Sequence, residues 1–185
     1  MTLANAVTIL RIVVTLPFLV LVFSLKNANP NEIVPSAILF IIFLIISLSD
    51  NLDGYLARSR NEITELGKML DPIADKLLLG GVLIVMNLVG IMPIWVSVLI
   101  LFREIGITFL RMVVARKAKK VIAASKMGKL KTFLQTVSLM VFLSPFGVLP
   151  VWCVYMAWGI LIAAIAVTYI SGAQYVTRAL KLWYN

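Results

Sequence analysis

The chain is organised around Asp50-Asn51-Leu52-Asp53-Gly54-Tyr55-Leu56-Ala57-Arg58, a stretch whose pattern continues to Gly67, Asp71 and Asp75. Half of the eight acidic residues in the chain are the four aspartates of this pattern. They stand at the ends of long apolar runs, where a carboxylate beside a bilayer is costly unless it has a partner or a function. Asp50 and Asp53 are three residues apart, and Asp71 and Asp75 are four apart, so each pair would share one face of a helix.

The four aspartates predict a metal site. Two such helices side by side would bring four carboxylates together, and this negative charge requires cations. Oxygen ligands suit hard cations such as Mg²⁺ or Mn²⁺, and the absence of histidine disfavours zinc and histidine-based catalysis. The alternative is that the carboxylates only form ion pairs with Arg58 or Lys76, but four carboxylates at two helical spacings exceed what pairing needs.

The same residues carry a resemblance. They occupy every fixed position of D-x-x-D-G-x-x-A-R-x8-G-x3-D-x3-D, and the stretch resembles the signature of the CDP-alcohol phosphatidyltransferases. The resemblance implies a two-metal centre at Asp50, Asp53, Asp71 and Asp75 that bridges the diphosphate of a CDP-lipid and stabilises the departing CMP. It also implies that Asp75 is the general base and that the CDP-lipid is bound by Gly54, Ala57, Arg58 and Gly67.

Small residues in a helix also have a simpler explanation. Gly54 and Ala57 continue the face of Asp50 and Asp53 by one turn, and small residues at such positions commonly allow close packing of helices in membranes. The motif favours nucleotide contact over packing, because it places these residues beside the predicted metal ligands. Arg58 is suited to contacts with phosphate oxygens.

The composition predicts an all-α integral membrane protein. Of the 185 residues, 62% are hydrophobic, a share too large for a soluble domain of this size. The single cysteine, Cys153, excludes an internal disulfide. The net charge is +9, but the basic residues flank apolar runs, which fits membrane lipids and phosphorylated substrates and predicts no nucleic acid partner. We find no repeat, so residues 1–185 are predicted to form a single membrane-embedded domain.

The N-terminus has a polar face followed by an apolar run. Asn5, Thr8 and Arg11 are spaced three apart, which predicts a short N-terminal interfacial helix leading into a first span that ends near Leu25. A signal peptide is the alternative, but no basic segment precedes the run and no A-x-A site follows it. Phosphatidylglycerophosphate synthases have a similar N-x-x-T-x-x-R pattern, and this resemblance implies that Asn5 and Thr8 help to bind the CDP-lipid. For Thr8, a polar helix start at the interface explains the pattern equally well.

The remaining apolar runs bring the predicted number of transmembrane helices to six. The later spans are predicted at 33–49, 67–89, 94–115, 132–143 and 151–170, with the fifth extended upstream and the sixth continuing toward residue 178. Loops are predicted at 26–32 and 58–66, and a tight turn at 90–93. The loops 26–32, 90–93 and 144–150 contain one basic residue, Lys26, whereas the opposite side is rich in Lys and Arg. This asymmetry predicts a multi-pass protein of the cell membrane with both termini and the active site on the cytoplasmic side.

A second group of residues is basic. It consists of Arg103-Glu104, Arg111, Ser125-Lys126-Met127-Gly128-Lys129-Leu130-Lys131-Thr132 and Gln135, and it resembles a pattern of the phosphatidylglycerophosphate synthases. Arg and Lys side chains suit the phosphate of glycerol 3-phosphate, so we predict an acceptor site of Arg103, Arg111, Lys129 and Lys131. The alternative is ordinary positive-inside charge, which we accept for Arg116, Lys117, Lys119 and Lys120.

These patterns together predict an enzyme that transfers the phosphatidyl group of CDP-diacylglycerol to glycerol 3-phosphate, giving phosphatidylglycerol phosphate and CMP. One alternative is a sister enzyme with another acceptor, such as serine, inositol phosphate or a second phospholipid. The basic group argues against serine and less strongly against a phosphorylated acceptor. Another is a cation transporter, although the four aspartates of the motif cluster at one membrane face. The resemblance also implies a homodimer.

Overall fold

The computed structural model describes the backbone of residues 3–28, 32–59, 65–118, 126–144 and 150–184. Side chains are described over 5–28, 32–49, 73–74, 76–114, 127–144 and 150–181. Within these residues the protein is helical, without a strand, which confirms the predicted all-α class. The helices are α1 Leu3–Ala28, α2 Ile33–Ser59, α3 Glu65–Leu88, α4 Ile94–Ala118, α5 Lys126–Leu143 and α6 Val151–Tyr184.

The start of the chain differs from the prediction. Instead of a short interfacial helix followed by a span, α1 is one helix of 26 residues that contains Pro17. The hydroxyl of Thr15 donates to the carbonyl oxygen of Arg11 at 2.7 Å, within this continuous helix. No glycine or proline lies between Pro17 and Pro30, so the helix continues to Ala28 and includes residues that were predicted to be loop.

The predicted boundaries of the later elements are close to the observed ones. Residues 50–59 continue α2 beyond its apolar run. Because α2 ends at Ser59 and α3 begins at Glu65, both ends of the predicted loop at 58–66 are helical. The tight turn at 90–93 is confirmed: Gly90 has φ 74°, a left-handed conformation that glycine adopts without steric cost. The amides of Ile91 and Met92 both donate to the carbonyl of Met86, which closes the end of α3.

The chain divides into two compact units, and the first comprises residues 1–92 and 139–154. In this unit α1 packs against α2 and α3. The rings of Phe18 and Phe43 lie 6.2 Å apart at their centroids, and Gly81 accommodates the end of the Leu19 side chain on α1. The buried ammonium of Lys26 donates to the hydroxyl of Ser36 at 2.8 Å, which ties the end of α1 to the start of α2.

The second unit comprises residues 93–138 and 155–185. It contains α4, most of α5 and most of α6. Polar contacts join its helices: Tyr169 on α6 donates to the carbonyl of Leu99 on α4 at 3.2 Å, and Ser138 on α5 donates to the carbonyl of Ala157 on α6 at 3.1 Å. An apolar cluster lies between α4 and α6, formed by Val114, Tyr175, Ala179, Ile107 and Leu110.

Among the described residues, two helical segments have the length and apolar composition needed to cross a membrane, namely Asn5–Ala28 and Val151–Lys181. Shorter apolar helices are Ile33–Ser49 and Lys76–Leu88. Apolar side chains face outward: Phe102 is 76% exposed and Val20 is 66% exposed, whereas the polar Thr15 and Ser138 are fully buried. Outward apolar and inward polar side chains are expected where lipid replaces water as the solvent, and these features indicate a membrane protein.

Candidate active site and acceptor-binding residues

The four aspartates of the motif lie on two helices of the first unit. Asp50 and Asp53 belong to α2, and Asp71 and Asp75 belong to α3, so the helical backbone on which the shared-face argument depends is confirmed. Their side chains lie outside the described residues, as do those of Ala57 and Arg58 and the surroundings of Gly54 and Gly67. The metal ligands and the CDP-lipid contacts at these positions therefore stay predictions.

The predicted polar face of the N-terminal helix is buried. Asn5, Thr8 and Arg11 are 5%, 1% and 4% exposed, while Leu10 on the same helix is 60% exposed. Each of these three residues takes part in an interaction within the protein. The face that carries the N-x-x-T-x-x-R pattern is therefore buried within the protein, and contact of Asn5 and Thr8 with the CDP-lipid stays a prediction.

Arg103 is anchored between two helices of the second unit. It lies on α4 and is 9% exposed. Its Nη2 donates to the hydroxyl of Ser171 on α6 at 2.6 Å, and its Nη1 donates to Oε1 of the adjacent Glu104 at 3.2 Å. A guanidinium buried among apolar helices requires such partners, because removing it from water without them is very costly.

Glu104 joins two of the predicted acceptor residues. Its Oε1 accepts a hydrogen bond from Nζ of Lys131 on α5 as well as the one from Arg103. The two cations therefore meet on one carboxylate oxygen, and their side chains are 12% and 8% exposed. An anionic oxygen between an ammonium and a guanidinium is the arrangement that a phosphate oxygen would also adopt.

The polar contacts extend across three helices. Ser171 donates to the carbonyl oxygen of Thr168 at 2.9 Å, and the hydroxyl of Thr168 accepts from Nε2 of Gln135 on α5 at 3.2 Å. Gln135 is one turn beyond Lys131 on α5. We call Lys131, Glu104, Arg103, Ser171, Thr168 and Gln135 the polar network.

The other two predicted acceptor residues are more accessible. Arg111 is exposed, and its guanidinium carbon lies 5.4 Å from the centroid of the Tyr175 ring on α6, within the range of a cation–π interaction. Arg103 and Arg111 both contact α6, Arg103 through Ser171 and Arg111 through Tyr175. Lys129 is exposed near the start of α5. Contact of these residues with an acceptor phosphate stays a prediction.

Comparison with known proteins supports the family resemblance that the motif indicates. Residues 1–170 match the model of the CDP-alcohol phosphatidyltransferase family. The chain belongs to this family. It is 42% identical over 180 residues to a probable phosphatidylglycerophosphate synthase of Mycobacterium tuberculosis, covering 97% of this chain and 82% of that protein. It is 32% identical over 192 residues to the CDP-diacylglycerol–glycerol-3-phosphate 3-phosphatidyltransferase of Bacillus subtilis, covering 95% and 94%.

Membership of the CDP-alcohol phosphatidyltransferase family confirms the resemblance and makes the chain a transferase by class. The family resemblance assigns no role to Ser171, Gly172, Thr168 or Tyr175, which the structure places around the basic group. A weak signal for them exists in the sequence, because Thr168 and Ser171-Gly172 interrupt the apolar run of α6. Small and hydroxyl residues within a membrane helix often mark a contact with another helix.

Proposed function

We propose that the protein transfers the phosphatidyl group of CDP-diacylglycerol to glycerol 3-phosphate, giving phosphatidylglycerol phosphate and CMP, in phospholipid biosynthesis. The observation that carries the proposal is the convergence of Arg103 and Lys131 on one carboxylate oxygen. It supports an acceptor-phosphate site in the second unit, because a phosphorylated acceptor requires cations that hold an anionic oxygen. The names of the relatives in M. tuberculosis and B. subtilis support the same reaction.

The donor set of the motif fits a pair of divalent cations. Asp50, Asp53, Asp71 and Asp75 offer only carboxylate oxygens, the ligands that Mg²⁺ and Mn²⁺ prefer, and they lie on two helices that both pack against α1. These four residues would hold the ions. When bound, the ions would draw charge from the diphosphate and stabilise the CMP leaving group.

The remaining steps fall to side chains of the protein. The acceptor hydroxyl attacks the lipid-side phosphorus, its proton passes to the carboxylate of Asp75, and the bond to CMP breaks. Arg58 contacts the oxygens of the diphosphate. The CDP-lipid is held at positions that are small or polar, namely Asn5, Thr8, Gly54, Ala57 and Gly67. The acceptor phosphate is held by Arg103, Arg111, Lys129 and Lys131.

We further propose a single membrane-embedded domain with six spans. The outward-facing apolar side chains of α4, such as Phe102 and Phe109, support a lipid-facing surface on a helix that also carries charges. The distribution of Lys and Arg supports placing both termini and the active site on the cytoplasmic side of the cell membrane. Membrane lipids are then permanent partners, and the family resemblance supports a homodimer.

An acceptor panel tests the reaction. Purified protein, CDP-diacylglycerol and either Mg²⁺ or Mn²⁺ are incubated with glycerol 3-phosphate, serine, inositol phosphate or phosphatidylglycerol, and CMP release is measured. We expect release with glycerol 3-phosphate and none after excess chelator. Release with another alcohol in its place would establish a sister enzyme. No release with any alcohol, together with cation flux into vesicles, would establish a transporter.

The nucleotide site makes a prediction of its own. Ala57→Leu places a larger side chain on the helix face where the nucleotide is proposed to lie, and we expect affinity for CDP to fall by about tenfold or more, the loss from a clash costing about 1–3 kcal/mol. Ala163→Leu on α6 is the matched control, because Ala163 is exposed. Unchanged CDP binding by a folded Ala57→Leu protein would assign Ala57 to helix packing.

A further inference from the structure

The guanidinium of Arg103 has three nitrogens in three different situations. Nη1 is held by Glu104 and Nη2 by Ser171. The remaining nitrogen, Nε, is buried and has no hydrogen-bond partner among the described residues. A buried donor left without a partner costs free energy, so such an atom requires an explanation in terms of function or of a missing partner.

Gly172 lies beside this unpartnered nitrogen. A Cβ built at Gly172 would lie 3.0 Å from Nε and 3.5 Å from Nη2 of Arg103, closer than side chains normally approach. The guanidinium has little freedom to move away, because Ser171 and Glu104 hold its other two nitrogens. The glycine therefore permits this guanidinium to lie against the backbone of α6 in its observed orientation.

Ser171 is itself fixed. Its hydroxyl donates to the carbonyl of Thr168, so its oxygen presents a lone pair toward Nη2 of Arg103. Thr168 in turn is bound by Gln135. The orientation of Arg103 is thus set from α6, through the hydrogen bonds of 2.6 Å from Arg103 to Ser171 and 2.9 Å from Ser171 to the carbonyl of Thr168.

We propose that Glu104, Ser171 and Gly172 are positioning residues for the phosphate of the acceptor. They fix Arg103 so that its Nε remains available to an acceptor oxygen, while Glu104 also holds the ammonium of Lys131 near the same place. A phosphate oxygen is a partner that satisfies a buried guanidinium nitrogen with a charge-assisted hydrogen bond. The proposal rests on the proposed use of glycerol 3-phosphate and extends it to three residues that do not themselves contact the substrate.

The test compares variants in matched pairs on the same helix. Ser171→Ala removes a buried hydroxyl that binds Arg103, and Thr177→Val removes an exposed hydroxyl that donates to the carbonyl of Gln174 in the same local manner. Gly172→Ala places a Cβ against Arg103, whereas Gly159→Ala places one where no atom lies within 4 Å. Glu104→Gln keeps the shape of the side chain and removes its charge.

Steady-state kinetics with each substrate varied separately provide the readout, using full-length protein in mixed micelles. We expect the KM for glycerol 3-phosphate to rise about fivefold in Ser171→Ala and about tenfold in Gly172→Ala and Glu104→Gln, the loss expected from misplacing one charge-assisted contact. The KM for CDP-diacylglycerol should stay within about twofold. Thr177→Val and Gly159→Ala should match the original protein for both substrates.

Other outcomes separate the two proposals. If the original protein releases no CMP with glycerol 3-phosphate, the proposed function fails before any variant is compared. If it does, and Ser171→Ala and Gly172→Ala behave like their controls, the positioning role is overturned. Equal increases in the KM values for both substrates, or a fall in kcat alone, would overturn the role as well, because they indicate a general effect on the fold.

Discussion

Asp50→Asn and Asp71→Asn are each expected to abolish turnover, with a loss of about a thousandfold or more. Each substitution removes a charged ligand from a site that binds two divalent cations, and such cations contribute several kcal/mol to stabilising the charge of the transition state. Asparagine preserves the size of the side chain, so the helix and its packing should be retained. The measurement is CMP release from CDP-diacylglycerol at saturating glycerol 3-phosphate, with Mg²⁺ or Mn²⁺ added in turn.

Glu32→Gln is the matched control for loss of a carboxylate. Glu32 is exposed at the start of α2 and lies outside the motif, so this variant should keep full activity. Excess chelator should abolish the activity of the original protein, and adding back the cation should restore that activity. Full activity in excess chelator, or an Asp71→Asn variant as active as Glu32→Gln, would refute the two-metal proposal.

The helices were predictable because a bilayer imposes a simple requirement on the sequence. Each membrane span needs a long apolar run, and the breaks between runs contain the prolines, glycines and polar residues that end helices. The turn after α3 is an example: Gly90 is the residue that adopts φ 74° there. Boundaries were less predictable: α1 continues through Lys26 to Ala28, and Lys26 contacts Ser36, a residue ten positions away that spacing alone does not identify.

The motif positions were also predictable, because spacing on a helix depends only on the helical repeat. Asp50 and Asp53 can share one helical face only if α2 continues beyond its apolar run, and α2 does continue. What spacing does not provide is the partner of a side chain on another helix. The basic pattern named Arg103 and Lys131, but their meeting on Glu104 depends on how α4 and α5 pack.

The α6 residues of the polar network were the least predictable part of the candidate site. Ser171 is 68 positions from Arg103 along the chain, and a serine in an apolar run has many possible roles. The role of Gly172 is even harder to predict from the sequence, because the glycine contributes only the absence of a side chain beside Nε of Arg103. Only the packing of α4 on α6 reveals that this absence is needed.

Arg111→Lys is expected to reduce the efficiency of glycerol 3-phosphate use by about ten- to a hundredfold. A charge-assisted hydrogen bond contributes about 1.5–3 kcal/mol, and an ammonium cannot reproduce the two parallel donors of a guanidinium. The cation–π contact with Tyr175 remains possible for lysine, so the charge and much of the packing are preserved. Lys129→Met and Lys131→Met should have effects of similar size, since each removes a charge from the same proposed phosphate site.

Arg178→Lys is the matched control, because Arg178 is an exposed arginine on α6 with no assigned contact to substrate. The measurement is kcat/KM for glycerol 3-phosphate and, separately, for CDP-diacylglycerol, in folded purified variants. The CDP-diacylglycerol value should change little, because its diphosphate is assigned to the metals and Arg58. Losses shared equally by both substrates would mean that Arg111 supports the fold through Tyr175. If Arg111→Lys equals Arg178→Lys, the guanidinium fork of Arg111 has no part in acceptor binding. The choice of glycerol 3-phosphate would then depend on Arg103, Lys129 and Lys131.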